Sequence, residues 1–171
     1  MCGKFTAMYS WREVVAFSQP LTAERREGSN DQVVGYGVMQ LLPVIVLDPE
    51  TKQRKIVPMR WGFPHIKNYR IPQPIHARSE GIDKVRDFAQ PFRDGQRGIV
   101  VFRTFNEGEE VPTKTGKMKT VQWTIDPGDG LPRGFAFVWR HFDRADLPQP
   151  MDACVMVTVP ASETIRKTFM T

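Results

Sequence analysis

Cysteine is scarce in this 171-residue chain, which holds only Cys2 and Cys154, almost its whole length apart. Two such residues exclude a disulfide-stapled fold, and neither stands at metal-ligand spacing, so no metal and no other cofactor is expected. A reducing, cytoplasmic setting fits this usage. Long apolar runs are also missing. The N-terminus reads Met1-Cys2-Gly3-Lys4-Phe5 without a signal-type apolar region. No stretch approaches the roughly 18 apolar residues of a membrane span. The expectation is a protein neither exported nor membrane-embedded. There is no internal repeat, heptad or low-complexity tract, and the longer loops carry prolines without forming a domain linker. A chain of this length with 40% apolar residues is one ordinary domain.

Acidic residues are outnumbered: 19 Asp and Glu face 24 Lys and Arg, for a net charge of +5 and a pI near 9.4. Such a chain attracts polyanions and releases them as salt rises, which makes nucleic acid the leading partner class. Along the chain, Ser10-Trp11-Arg12-Glu13 has the form of a capping box and predicts a short helix from about 11 to 18. Residues 20–30 read as a polar loop. Strand-type runs follow at Val44 to Leu47, Lys55 to Trp61 and Gly98 to Phe102, the first two joined by an Asp48-Pro49-Glu50-Thr51 hairpin turn. Ser79 is placed to cap a second helix running to about Ala89, with Ile82, Val85 and Phe88 on one face and Pro91 ending it. Further strands are predicted at Val121 to Ile125, Phe135 to Trp139 and Cys154 to Val159. The expected architecture is α+β and mostly β: a single domain over 1–171, with a twisted antiparallel sheet or barrel-like core and two or three short helices.

Chemistry concentrates at the N-terminus. Removal of Met1, which the small Cys2 side chain permits, leaves a free α-amine and a thiol on adjacent carbons. Their unperturbed pKa values, about 8 and about 8.5, keep both nucleophilic forms populated near neutral pH. An aldehyde is the natural trap for this 1,2-aminothiol: the amine forms a Schiff base and the thiol closes a five-membered thiazolidine. The same thiol is also competent to attack an acyl carbon.

The order and spacing of Met1-Cys2-Gly3-Lys4-Phe5, Arg60-Trp61-Gly62-Phe63-Pro64, His76-Ala77-Arg78-Ser79-Glu80 and Phe105-Asn106-Glu107 resemble the SRAP family, the SOS response-associated peptidase or abasic-site processing proteins. The likeness runs from residue 1 to about 165, and its later part includes Phe135 to Trp139 and Val157 to Ala161, similar to two core strands of the family. The resemblance implies a monomer that binds single-stranded DNA and joins Cys2 covalently to the ring-opened aldehyde of an abasic site, shielding the lesion in the DNA damage response. Glu107 matches the family's glutamate, at the end of an Arg-flanked strand, and would shuttle protons. Arg60 and Arg78 would meet phosphates, with Lys4 adding charge beside Cys2. Trp61 would stack on a base next to the lesion, its competing role being core packing.

The chain departs from the family pattern in four places. His76 stands where the family has asparagine, exchanging a neutral amide for a side chain that titrates near pH ~6.5 when unperturbed, and joins Cys2 and Glu107 as a catalytic candidate. Asn106 and Gly108 flank Glu107 where Tyr-Glu-Trp is usual, an Asn-Ile-Ala-Pro stretch near residue 37 is not recognisable, and the His-x-Arg-Met-Pro motif expected near the C-terminus is absent. The chain therefore reads as a divergent, shortened or phage-related member, or one whose C-terminus is incomplete. His65 and His141 do not match the lost motif and read as surface or strand-end histidines. Two other functions stand beside this one: the departures suggest a single-stranded DNA-binding module without chemistry, and the family's name with the Cys/Glu/His set suggests a cysteine peptidase, most economically limited to removing its own Met1.

Overall fold

In a computed structural model of the chain, the residues described are 4–7 and 34–160. The helix expected over 11–18 lies outside them, as do Cys2 and residues 161–171. In chain order the elements are β1 (Lys4–Ala7), β2 (Val34–Gly37), β3 (Leu41–Leu47), β4 (Arg54–Trp61), β5 (His76–Arg78), α1 (Arg86–Arg93), β6 (Arg97–Phe102), β7 (Thr104–Pro112), β8 (Met118–Ile125), β9 (Arg133–Phe142) and β10 (Met151–Thr158). The architecture is α+β and mostly β, with one α-helix among the described residues.

Two sheets share the strands. One runs β2-β1-β7-β8 and the other β4-β3-β6-β9-β10-β5. In the second sheet β10 pairs antiparallel with β9 and also parallel with β4, through Ala153 opposite Arg60 and Cys154 opposite Trp61. That extra pairing closes β4, β3, β6, β9 and β10 into a ring of strands. Because successive side chains of a strand point to opposite faces, β10 feeds two cores. Cys154 and Met156 join Phe5, Val44, Trp61, Phe102 and Phe137 in the first. Ala153 and Val155 join Phe63, Phe88 and Phe142 in the second, which underlies α1. A strand covered on both faces needs a nearly continuous apolar run, and Ala-Cys-Val-Met-Val supplies it.

The β3–β4 hairpin forms where expected. The Asp48 Oδ1 accepts from the backbone N–H groups of Glu50 and Thr51, each at 3.0 Å. Its Oδ2 accepts from Lys55 Nζ at 2.8 Å, and this bond, ahead of the turn amides, holds the Asp48 carboxyl below the ordinary carboxylate range. The helix predicted from Ser79 differs. The Ser79 hydroxyl donates to the Glu80 carboxylate instead of capping, Ser79–Gly81 forms a single 3-10 turn, and α1 starts at Arg86 after an extended Val85. Pro91 lies inside α1 and does not end it: it is buried, as is Phe88 on the same helix, so apolar burial outweighs the lost amide bond.

The strand least visible in the sequence is β7, Thr-Phe-Asn-Glu-Gly-Glu-Glu-Val-Pro. Its acids and glycine disfavour a strand. It forms between two partners, β1 on one side and β8 on the other, with polar side chains bonded across the ladder: Asn106 Nδ2 donates to Thr124 Oγ1 at 3.0 Å and the Thr120 hydroxyl donates to Glu110.

Gly62 leaves β4 at φ +104°, and a Cβ there would stand 2.6 Å from the Pro72 Cβ and 3.2 Å from Ile75 Cγ2. Backbone strain and overpacking therefore act together. Gly62→Ala is expected to lower unfolding free energy by about 2 kcal/mol or more. Urea denaturation reads this as a lowered midpoint, with Gly81→Ala, whose Cβ meets nothing within 4 Å, as the control.

Candidate active site

The register of β1 on β7 sets the geometry of the site. Lys4 lies opposite Asn106, Phe5 opposite Phe105 and Thr6 opposite Thr104 in an antiparallel pair. The N-terminal end of β1 therefore runs out beside the segment that carries Glu107. Cys2 lies outside the described residues, but two peptide units tether its Cα to within about 7 Å of that of Lys4. Lys4 itself is positioned by its backbone in β1.

Glu107 is half-buried in the middle of β7, not at a strand end, because pairing with β8 continues as far as Pro112. It stands directly across the ladder from Trp123. Directly opposed residues share a face, and along β7 that face also carries Phe105 and Glu109. Phe105 packs against the first core, and the Glu109 carboxylate accepts a hydrogen bond from Trp123 Nε1 at 2.8 Å.

His76 opens β5 opposite Met156 of β10, and Arg78 ends it opposite Thr158. The alternation of β5 sends Ala77 into the second core, so His76 and Arg78 share the face of Met156, which belongs to the first. His76 and Glu107 thus lie on faces of the two sheets that look onto one core, with Arg78 exposed at the edge.

Two expected DNA contacts lie elsewhere. Trp61 is fully enclosed: its Nε1 donates to the Ile75 carbonyl at 3.1 Å, and its ring lies 5.4 Å from Phe5 and 6.3 Å from Phe137, centroid to centroid. No face is open for a base, so core packing is its role. Arg60 points to the opposite face of β4 and is only 7% exposed, so it offers no open surface to a phosphate. Its Nη1 reaches Met151 Sδ at 3.9 Å, while Nε and Nη2 are buried without a hydrogen-bond partner. Burial pushes the Arg60 pKa down, with Tyr69 opposing.

His141 is a strand-end residue whose Nδ1 lies 2.8 Å from Asp152 Oδ1, and His65 Nδ1 accepts from the Lys67 amide at 3.2 Å. A cleft of about 930 Å³ lies against α1 between Phe63, Arg86 and His141; Glu107, His76 and Arg78 do not line it. Among the described residues, no group of three or more His, Cys, Asp or Glu is arranged to hold a metal ion. No helix among them is long and apolar enough to cross a membrane. The residue that sequence reasoning overlooked is Trp123, 47% exposed and directly opposite Glu107. Its significance lies in the register of β7 on β8, which no local pattern encodes.

The sequence profile of a family described as SOS response associated peptidase (SRAP) matches residues 1–169. Three solved structures share the fold. A Bordetella bronchiseptica protein is 19% identical with a TM-score of 0.66, the alignment covering 95% of this chain and 74% of that one. A Bacteroides thetaiotaomicron protein is 12% identical with a TM-score of 0.72, covering 96% and 71%. A phage-related protein of Bordetella bronchiseptica is 17% identical with a TM-score of 0.63, covering 92% and 69%. Comparison with curated proteins returns no match.

Two outcomes follow from the burial of Arg60 and Cys154. Arg60→Met removes two buried nitrogens that lack hydrogen-bond partners, at similar volume, so unfolding free energy should stay level or rise by up to about 3 kcal/mol. A loss above about 1 kcal/mol in urea denaturation would show that the guanidinium is satisfied. Cys154 is wholly buried and desolvation pushes its thiol far up, so a Cys2→Ala variant should be silent to Ellman's reagent at pH 8 until denatured.

Proposed function

The chain belongs to the SOS response-associated peptidase family, and from that premise we propose that it binds single-stranded DNA and crosslinks Cys2 to the aldehyde of an abasic site. Membership brings a DNA-damage-associated, peptidase-like role. The observation that carries the finer reading is the β1–β7 register, which leads the chain's N-terminal end to the strand holding Glu107.

The chemistry balances without a cofactor. After loss of Met1 the Cys2 amine adds to the ring-opened aldehyde to give a carbinolamine, which expels water as a proton reaches the departing hydroxyl. The thiolate then adds to the iminium carbon and closes the thiazolidine. One water is released overall, one C–N and one C–S bond form, and the carbonyl C=O bond is lost. Glu107 is the proton carrier in this scheme: as a carboxylate it takes the proton of the attacking amine, and as the acid it returns that proton to the leaving oxygen. Arg78, exposed on the face that also carries His76, is the phosphate contact.

His76 in place of an amide motivates a second reading, in which DNA is bound without covalent chemistry. Peptidase activity in this scheme is self-removal of Met1, the step that exposes the aminothiol.

The test is incubation of the protein, its loss of Met1 verified by intact mass, with a single-stranded oligonucleotide holding one abasic site, followed by a denaturing gel. The wild type is expected to give a shifted band that Cys2→Ala abolishes while still binding the strand. Glu107→Gln should slow adduct formation by roughly a hundredfold or more. Equal adduct yield from Cys2→Ala would refute the aminothiol mechanism, and binding without any adduct would select the second reading.

A further inference from the structure

We infer that Trp123, presented by β8 directly across from Glu107, is the base-stacking platform of this site, with the lysines of the β7–β8 hairpin holding the adjoining phosphates. The inference rests on the single-stranded DNA reading and gives it an aromatic surface, which the burial of Trp61 leaves unsupplied.

Three observations carry it. Trp123 is 47% exposed, whereas Trp61 is 0% exposed and Trp139 is partly buried against the first core, so Trp123 is the accessible indole among the described residues. Its orientation is fixed: Nε1 donates to Glu109 Oε2 at 2.8 Å, so the ring gives up little freedom when a base covers it. The charge is suitably arranged. Lys119, opposite Val111, shares the face of Trp123 and Glu107 and lies four residues back along β8, roughly 13 Å away. Lys114 and Lys117 are exposed at the hairpin tip. Glu107 and Glu109 keep phosphates off the ring while leaving an uncharged base free to stack. Stacking on aromatics beside a track of cations is how sequence-tolerant binding of single strands is built.

The exposed ring could instead serve association between copies of the chain, since β8 ends its sheet. Lys117 and Lys119 on that edge oppose antiparallel self-pairing, where like charges would meet.

The experiment uses full-length Cys2→Ala protein, which cannot form the adduct, and an undamaged, 5′-labelled oligothymidylate followed by fluorescence anisotropy. Trp123→Ala is expected to weaken binding between about five- and a hundredfold, and Trp123→Phe to recover most of it. Strand-induced quenching of tryptophan emission should be lost in both variants. Unchanged affinity in a folded Trp123→Ala protein would overturn the inference and leave the crosslinking reading intact. Absence of oligothymidylate binding before Trp123 is altered would refute strand binding and this inference with it. A changed oligomeric state at unchanged affinity would assign the ring to self-association and overturn the inference.

Discussion

A buried indole must find an acceptor for its N–H, and the Ile75 carbonyl that serves Trp61 organises much of this fold. The same carbonyl accepts the Met156 amide, so one oxygen ties the end of β4 to the start of β5 and to β10. The Trp61 backbone is engaged as well, its N–H donating to Gln40 and its carbonyl accepting from Met39, each at 2.9 Å. Around this residue the ring of strands closes and β5 acquires the register that aligns His76 with Met156. The burial that removes Trp61 from DNA contact is therefore what positions the neighbouring candidate residues. A tryptophan at a strand end carries no local mark of which role it has.

Strands with β-branched runs were legible: β3, β4, β6, β8, β9 and β10 lie where residue patterning puts them. Of the strands around the site, β1, β2, β5 and β7 were not. β1, β2 and β5 have three or four residues each, too short to show a period. β7 is polar, and its stability comes from pairing on both edges with hydrogen bonds between side chains of the two strands. Ser79 shows the converse failure, a good cap by type whose hydroxyl found a nearer acceptor in Glu80. Capping preferences are weak enough for a neighbouring carboxylate to win.

At the site, Cys2 stands out because adjacent amine and thiol groups have distinctive reactivity whatever the fold. Glu107 is different: beside Glu109 and Glu110 it is an unremarkable acid by composition, and only the family likeness singles it out. Arg78 and Arg60 look equivalent in sequence, but Arg78 ends an edge strand and is exposed, whereas Arg60 lies on a strand of the closed ring and is buried. Trp123 depends on register alone. Information held in pairing between strands is the part that a linear reading lacks.

The pairing of β1 with β7 also bears on the order of events during synthesis. Lys4 meets a partner 102 positions further along the chain, at Asn106. With elongation at roughly 5–20 residues per second, the N-terminus spends at least several seconds outside the ribosome before β7 exists to receive it. An aminopeptidase can act on Met1 in that interval, whereas self-removal of Met1 by a site that includes Glu107 has to wait for β7. A contact so distant in sequence thus separates the emergence of the N-terminus from the pairing of β1 by most of the synthesis of the chain.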